Sequence, residues 1–97
     1  MTVIPDEVLE EFKERMKITS NSEDKNLQRM LVSSFNRITE LCGDFDLERE
    51  SSGKDLVFER TRFMYNDALE YFEDSFLSLI QSFAFEQLPE VEPDEKI

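Results

Sequence analysis

The sequence predicts an all-α fold, a small helical bundle with two shorter helices packed on one long C-terminal helix and followed by an extended acidic tail. Three observations predict it. Apolar residues recur at three- and four-residue spacing in three separate segments. The longest of these contains neither glycine nor proline. A chain of 97 residues allows one small domain, which the periodic segments nearly fill. The domain is placed at residues 1–88 and a flexible acidic tail at 89–97.

The first helix is expected near Pro5, because proline suits the first helical position and Asp6 and Glu7 follow where free amides favour negative charge. Val8, Leu9, Phe12 and Met16 form its apolar face, which stops near Ile18 at a TSNS loop. Ser20 with Glu23 is a candidate capping box, and Ser22 competes as the cap. Leu27, Met30, Leu31, Ser34, Phe35, Ile38, Leu41 and Cys42 make the stripe of a second helix, ended by Gly43. Cys42 lies on that stripe and reads as a buried thiol.

The stretch DFDLERESSGK is a loop. Asp44, Asp46, Glu48 and Asp55 have calcium-loop spacing, but Arg49 stands where the turn needs glycine, so it is not a calcium site. Phe45 and Leu47 alternate with acids there, which suits an extended segment folded back on the core. A long helix is expected from about Asp55 to about Phe83. Its stripe runs through Val57, Thr61, Met64, Ala68, Tyr71, Phe72, Phe76, Leu79, Ile80 and Phe83, broadened by Phe58, Phe63, Tyr65, Leu69 and Leu77. Some 28 residues would reach roughly 42 Å, against a radius of gyration of about 13 Å for a domain this size. Such a helix bends or projects, and its surplus apolar surface is covered either by another subunit or by the loop and tail. Residues 82–88 read as the end of this helix or as an extended arm, with Phe83, Phe85 and Leu88 on one side in the second case.

Asp and Glu number 23 against 11 Lys and Arg, a net charge of −12. From Phe63 to Glu95 there are nine acidic residues and no Lys or Arg. Solubility is the plain reading of that charge. Non-specific nucleic-acid binding is unexpected, since it rests on basic residues that neutralise phosphates. The front half holds Lys13, Arg15, Lys17, Lys25, Arg29 and Arg37. They read either as scattered surface charges or as a patch that meets the acidic helix of a neighbouring copy.

With no His and one Cys, zinc, haem and His-based catalysis lack ligands or bases, and an intrachain disulfide is excluded. No glycine-rich phosphate loop is present, so an enzyme is not expected, nor any metal or cofactor. The N-terminus has no signal-peptide pattern and no run is long enough to span a membrane. The expected partners are proteins.

At the long segment the residues gain a resemblance. Arg60 and Arg62 precede Phe63. Tyr65, Asn66, Ala68, Leu69, Tyr71 and Phe72 follow at fixed spacing, with Phe76 one turn on. The run Leu56–Ile80 thereby resembles the closing helix of the small head–tail connector (adaptor) proteins of tailed bacteriophages. Leu9, Phe12, Met16, Ile18 and the Leu41-Cys42-Gly43 ending are similar too, so the likeness covers roughly residues 6–85. The motif consists of helix-core residues. The resemblance implies a structural virion protein at the head–tail junction, made in the bacterial host cytoplasm. It would assemble as a ring of about a dozen copies, with isolated copies monomeric in some conditions. Such a ring docks beneath the portal protein, receives the next connector, stopper or tail protein, and lets DNA pass without specific binding. The acidic tail is short beside the arms of some relatives, which puts a portal-embracing arm in doubt.

On this reading Arg60, Arg62, Tyr65, Asn66, Phe72, Phe76, Phe83 and Phe85 are interface candidates. Arg60 and Arg62 would pair with acids of a neighbour or of the 44–50 loop, and Asn66 would hydrogen-bond a loop carbonyl or face water. Asp67, Glu70, Glu73 and Asp74 are candidates to face the channel, where acids keep DNA from adhering. The alternative function is an acidic DNA mimic or inhibitor that offers carboxylates to a nucleic-acid enzyme. A generic helical adaptor is a third.

Overall fold

The first helix forms where dipole and apolar spacing agree. In the computed structural model, which describes residues 4–88, α1 spans Asp6–Met16 with extended Pro5 just before it and Asp6 and Glu7 in its first turn. Val8, Leu9 and Phe12 are buried. The helix ends in two reversed bonds, from Lys17 N–H to the Glu14 carbonyl (3.1 Å) and from Ile18 N–H to the Lys13 carbonyl (2.9 Å). Lys17 takes the left-handed position (φ 61°) that glycine usually fills.

Helix α2 covers Asp24–Cys42 and buries Leu27, Leu31, Ser34, Ile38 and Cys42. The expected capping box does not form. Ser20 Oγ accepts the Ser22 N–H (3.0 Å) ahead of the helix, and the helix starts one residue past Glu23, whose carboxylate accepts the Tyr65 hydroxyl instead (3.0 Å). Buried Lys13 holds this start by donating to Asn21 Oδ1 and Asp24 Oδ1, both at 2.8 Å. After α2, Gly43 adopts φ 100° and ψ 174°, outside the reach of residues with a Cβ.

The 44–50 segment does fold back. Leu47 is buried, and Phe45 meets Phe35 and Phe83 edge to face at 5.2 and 5.3 Å. Helix α3, Ser52–Tyr65, starts three residues earlier than expected because Ser51 Oγ caps the Lys54 N–H (3.3 Å).

The long helix expected over Asp55–Phe83 is broken, and this corrects the sequence reading. Asp67 N–H bonds the Met64 carbonyl (3.1 Å) and Ala68 N–H the Phe63 carbonyl (2.8 Å), with Asp67 left-handed at φ 61°. These are the two bonds of a Schellman turn. A 3₁₀ turn, Leu69–Tyr71, leads into α4, Phe72–Ser75, and then α5, Leu77–Glu86. The turn lets part of the surplus that an unbroken helix would have carried pack back on the bundle. Phe72 and Phe76 return to pack on Phe63 at 5.8 and 5.6 Å and stack on each other at 5.1 Å. Residues up to Glu86 are helical, so Phe83 and Phe85 point to opposite sides, and the alternating reading of that segment is corrected.

The helices alternate in direction. α1 is antiparallel to α2, with Gln28 bonded to the Ile4 backbone at one end and Lys13 to Asp24 at the other. α3 returns antiparallel to α2, as Thr61 against Ser34 and Tyr65 against Glu23 show. The α4–α5 arm runs parallel to α2, through Arg37–Glu73, Cys42–Ile80 and Asp44–Gln87. The result is an all-helical bundle whose core includes Phe12, Leu31, Phe58, Leu56, Val57 and Phe72. The acidic tail assigned to residues 89–97 lies outside the described residues.

Candidate interaction surface

Helix α5 carries large apolar side chains on its buried face and on part of its opposite face as well. Ile80 and Phe83 are buried against the bundle. On the opposite side Leu77 is 50% exposed and Phe85 76%, with Leu88 just past the helix at 63%. These positions and Gln81 share one face at three- and four-residue spacing, and Leu77 to Phe85 contains no charged residue. Tyr71, 63% exposed, lies before the N-terminal end of the stripe. Large apolar side chains exposed together mark a contact surface more often than scattered ones do.

The predicted interface residues separate into two groups. Phe72 and Phe83 are core, and Phe76 packs against the core. Phe85 alone among the predicted phenylalanines faces solvent. Tyr65 is tied to Glu23, and that bond pushes its hydroxyl pKa up. Asn66 is exposed at the end of α3. Arg62 lies over Phe63 and pairs with Glu59 (2.6 Å) on its own helix. Arg60 donates to Ser33 Oγ (3.3 Å) and Ser34 Oγ (3.2 Å). Neither arginine reaches the 44–50 loop, which corrects that pairing. Burial pulls the Arg60 guanidinium pKa down, its Nε is buried without a partner, and no carboxylate bonds it among the described residues.

Of the four predicted channel acids, Asp67, Glu70 and Asp74 are exposed. Glu73 is not free to face anything else. It accepts a fork from Arg37, Nε at 2.9 Å and Nη2 at 3.2 Å, which holds its carboxyl below the usual range against the opposing effect of partial burial. Sequence spacing gave no sign of this pair, since 36 residues separate its members. The exposure of Leu77 was equally hidden. It belonged to the broad stripe of one helix until the turn at Asp67 split that stripe between two.

Lys25 and Arg29 are exposed near the start of α2, one turn apart, with no ion pair among the described residues. Arg15, by contrast, is paired with Asp55 and Glu59. Lys54 is buried beneath Glu11 and Glu50 at 2.6 and 3.2 Å.

A surface groove of about 330 Å³ opens between Phe45, Arg49, Glu50 and Phe83, and a smaller one of about 210 Å³ lies beside Pro5 and Phe35. The Ser51 hydroxyl in the first is engaged as the α3 cap. Among the described residues no three of the His, Cys, Asp or Glu side chains converge as a metal site. No helix among them is long and apolar enough to cross a membrane. Cys42 is buried with Sγ donating to the Ile80 carbonyl (3.5 Å), and burial pushes its thiol pKa up, away from nucleophilic chemistry.

No protein-family model, curated protein or solved structure matches the chain.

Proposed function

We propose that the protein is a structural subunit that assembles with copies of itself, as a ring beneath the portal of a tailed bacteriophage, joining head to tail and continuing the DNA channel. The observation that carries the assembly reading is the outward face of α5. Leu77, Phe85 and Leu88 stand uncovered on a chain of net charge −12, which has abundant polar residues to place there. The phage setting is supported by the resemblance over residues 6–85, whose aromatic positions Phe63, Phe72 and Phe76 pack together across the turn.

A channel bordered by acids would let DNA pass without adhering, because no phosphate-neutralising contacts form. Exposed Asp67, Glu70 and Asp74 are the residues assigned to that border. The test is imaging. The protein is incubated with the portal ring of its own phage and examined by electron microscopy, and its mass is followed in solution over a wide concentration range. Added density as a ring under the portal is the expected result. A tight dimer that ignores the portal and inhibits a basic nucleic-acid enzyme would overturn it in favour of a DNA mimic.

A further inference from the structure

We infer that the α4–α5 arm is exchangeable: the turn at residues 66–71 opens into helix, and the arm of one copy replaces the arm of a second copy, which returns its own. The molecule itself fixes what fills the vacated groove, since it is the same arm delivered by another chain.

Residues 54–88 contain no glycine or proline, so nothing in the sequence forbids helix through the turn. Val57, Thr61, Ala68, Phe72, Phe76, Ile80 and Phe83 keep helical register across it, and Ala68, Leu69 and Glu70 are good helix formers. The turn carries a cost of its own. Asp67 is held left-handed at φ 61°, and its carboxylate sits at the negative end of α3. Opening removes both penalties.

The arm moves as one piece. Helical bonds continue through Phe76, from Phe76 N–H to the Phe72 carbonyl (3.0 Å) and from Ile80 N–H to the Phe76 carbonyl (2.9 Å). The rest of the bundle holds it, with Arg37 on Glu73, Cys42 on the Ile80 carbonyl, Phe45 on Phe83 and Phe63 on Phe72. Each of these contacts is restored when the arm arrives from a second copy. The two states then differ at the hinge alone, the condition under which exchange costs little.

Direction fixes the symmetry. Within one copy the arm is antiparallel to α3, with Phe83 beside Gly53 at one end and Phe72 beside Phe63 at the other. A straight helix from Ser52 to Glu86 is about 52 Å long. Laying its α3 half along the arm half of a second copy, and the reverse, is a two-fold operation centred near residue 67, and its product is a closed dimer. The short tether gives each arm an effective concentration on its own bundle on the order of mM, so dilute chains stay closed. Each half of the dimer keeps the outward face of α5, so exchange is independent of ring formation.

The full chain, as wild type, Asp67→Ala and Asp67→Gly, is unfolded in urea and refolded at about 10 μM and about 1 mM, below and near that effective concentration. Mass is read by light scattering. Alanine suits the helix and resists the left-handed turn, whereas glycine does the reverse. A dimer is expected at the higher concentration, with a larger helix signal in circular dichroism than the monomer. Its association constant should be at least about tenfold higher for Asp67→Ala than for wild type, and lower for Asp67→Gly. If alanine prevents folding, wild type against glycine carries the same comparison. Exchange is told from surface association by refolding Arg37→Cys chains with Glu73→Cys chains, both in a Cys42→Ser background, and adding a short bis-maleimide. One chain of each kind should be linked about tenfold faster than two chains of either kind alone. A dimer in which the mixture links no faster would be a surface contact and overturn the inference. So would monomers from all three proteins at both concentrations, or more dimer with glycine than with wild type.

Discussion

Thr61 Oγ1 lies 2.9 Å from Ser34 Oγ where α3 crosses α2, and neither side chain has any exposed surface. Thr61 is also 2.8 Å from the Val57 carbonyl, and Ser34 Oγ accepts from Arg60 Nη1 at 3.2 Å. A carbonyl has no proton to give, so Thr61 donates to Val57 and receives the Ser34 proton, making one chain from a charged donor to a backbone acceptor. Small hydroxyl residues let two helices approach here while leaving no polar atom of the pair unmatched.

The costs of removing the two members are therefore expected to be non-additive. Thr61→Val strands the Ser34 hydroxyl in the core and should destabilise by ~1–3 kcal/mol. Ser34→Ala combined with Thr61→Val should lose less than the sum of the two single changes, with a coupling of ~1 kcal/mol. Urea unfolding of the four proteins measures it. Additive losses would show that the hydroxyls act independently.

Gly53 answers a different constraint. A Cβ built on it would lie 2.6 Å from the Phe45 ring and 2.7 Å from Phe83, so the absence of a side chain lets the fold-back loop and α5 close over the start of α3. In a free helix, replacing glycine with alanine stabilises by ~1 kcal/mol. Here Gly53→Ala should instead destabilise by ~1–3 kcal/mol through overpacking. Near-ultraviolet circular dichroism should report a shifted phenylalanine environment with unchanged helix content. A raised thermal midpoint would contradict the close approach.

The Arg37–Glu73 fork gives the fold a pH signature. Glu73 is held below the ordinary glutamate value of 4.5, first by the Arg37 hydrogen bonds and then by the charges of Arg37 and Arg60. A carboxyl depressed in the folded state adds stability at pH above its unfolded value and loses it as pH falls through the lower folded value. Both partners are partly exposed, so the gain at neutral pH is under ~1 kcal/mol and weakens with salt. Glu73→Gln should lower stability slightly at pH 7, and the two proteins should converge as pH falls through the lowered Glu73 value. Parallel stability curves down to the acid transition would show that the fork contributes nothing.

How far the sequence could be read follows from which forces act locally. The stripes of α1 and α2 were legible because periodic burial leaves its mark in spacing, and the Cys42 burial followed from the same stripe. The helical class and the fold-back of Leu47 were legible too. The break after Tyr65 was not. Its turn uses Asp67 where the usual signal is glycine, and the residues on both sides remain periodic, so nothing local interrupts the pattern. What selects the turn is tertiary, namely the return of Phe72 and Phe76 to Phe63. The outward face of α5 shared that fate, since a face is exposed or covered only relative to a direction that the turn sets.

Asp67 therefore offers a test of the break itself, because the two geometries predict effects of opposite sign. In a continuous helix, Asp67→Gly would fall mid-helix and destabilise, glycine being among the weakest helix formers. At φ 61° in the observed turn, glycine removes the strain of a Cβ in the left-handed region and also removes a carboxylate from the negative end of α3. Asp67→Gly is thus expected to stabilise by ~0.5–1 kcal/mol, and Asp67→Val, which is β-branched and resists that conformation, to destabilise by ~1 kcal/mol or more. Denaturant midpoints of the three proteins decide it. A loss of stability with glycine would mean that α3 runs on through residue 67, and the exposed face of α5 would have to be reassigned with it.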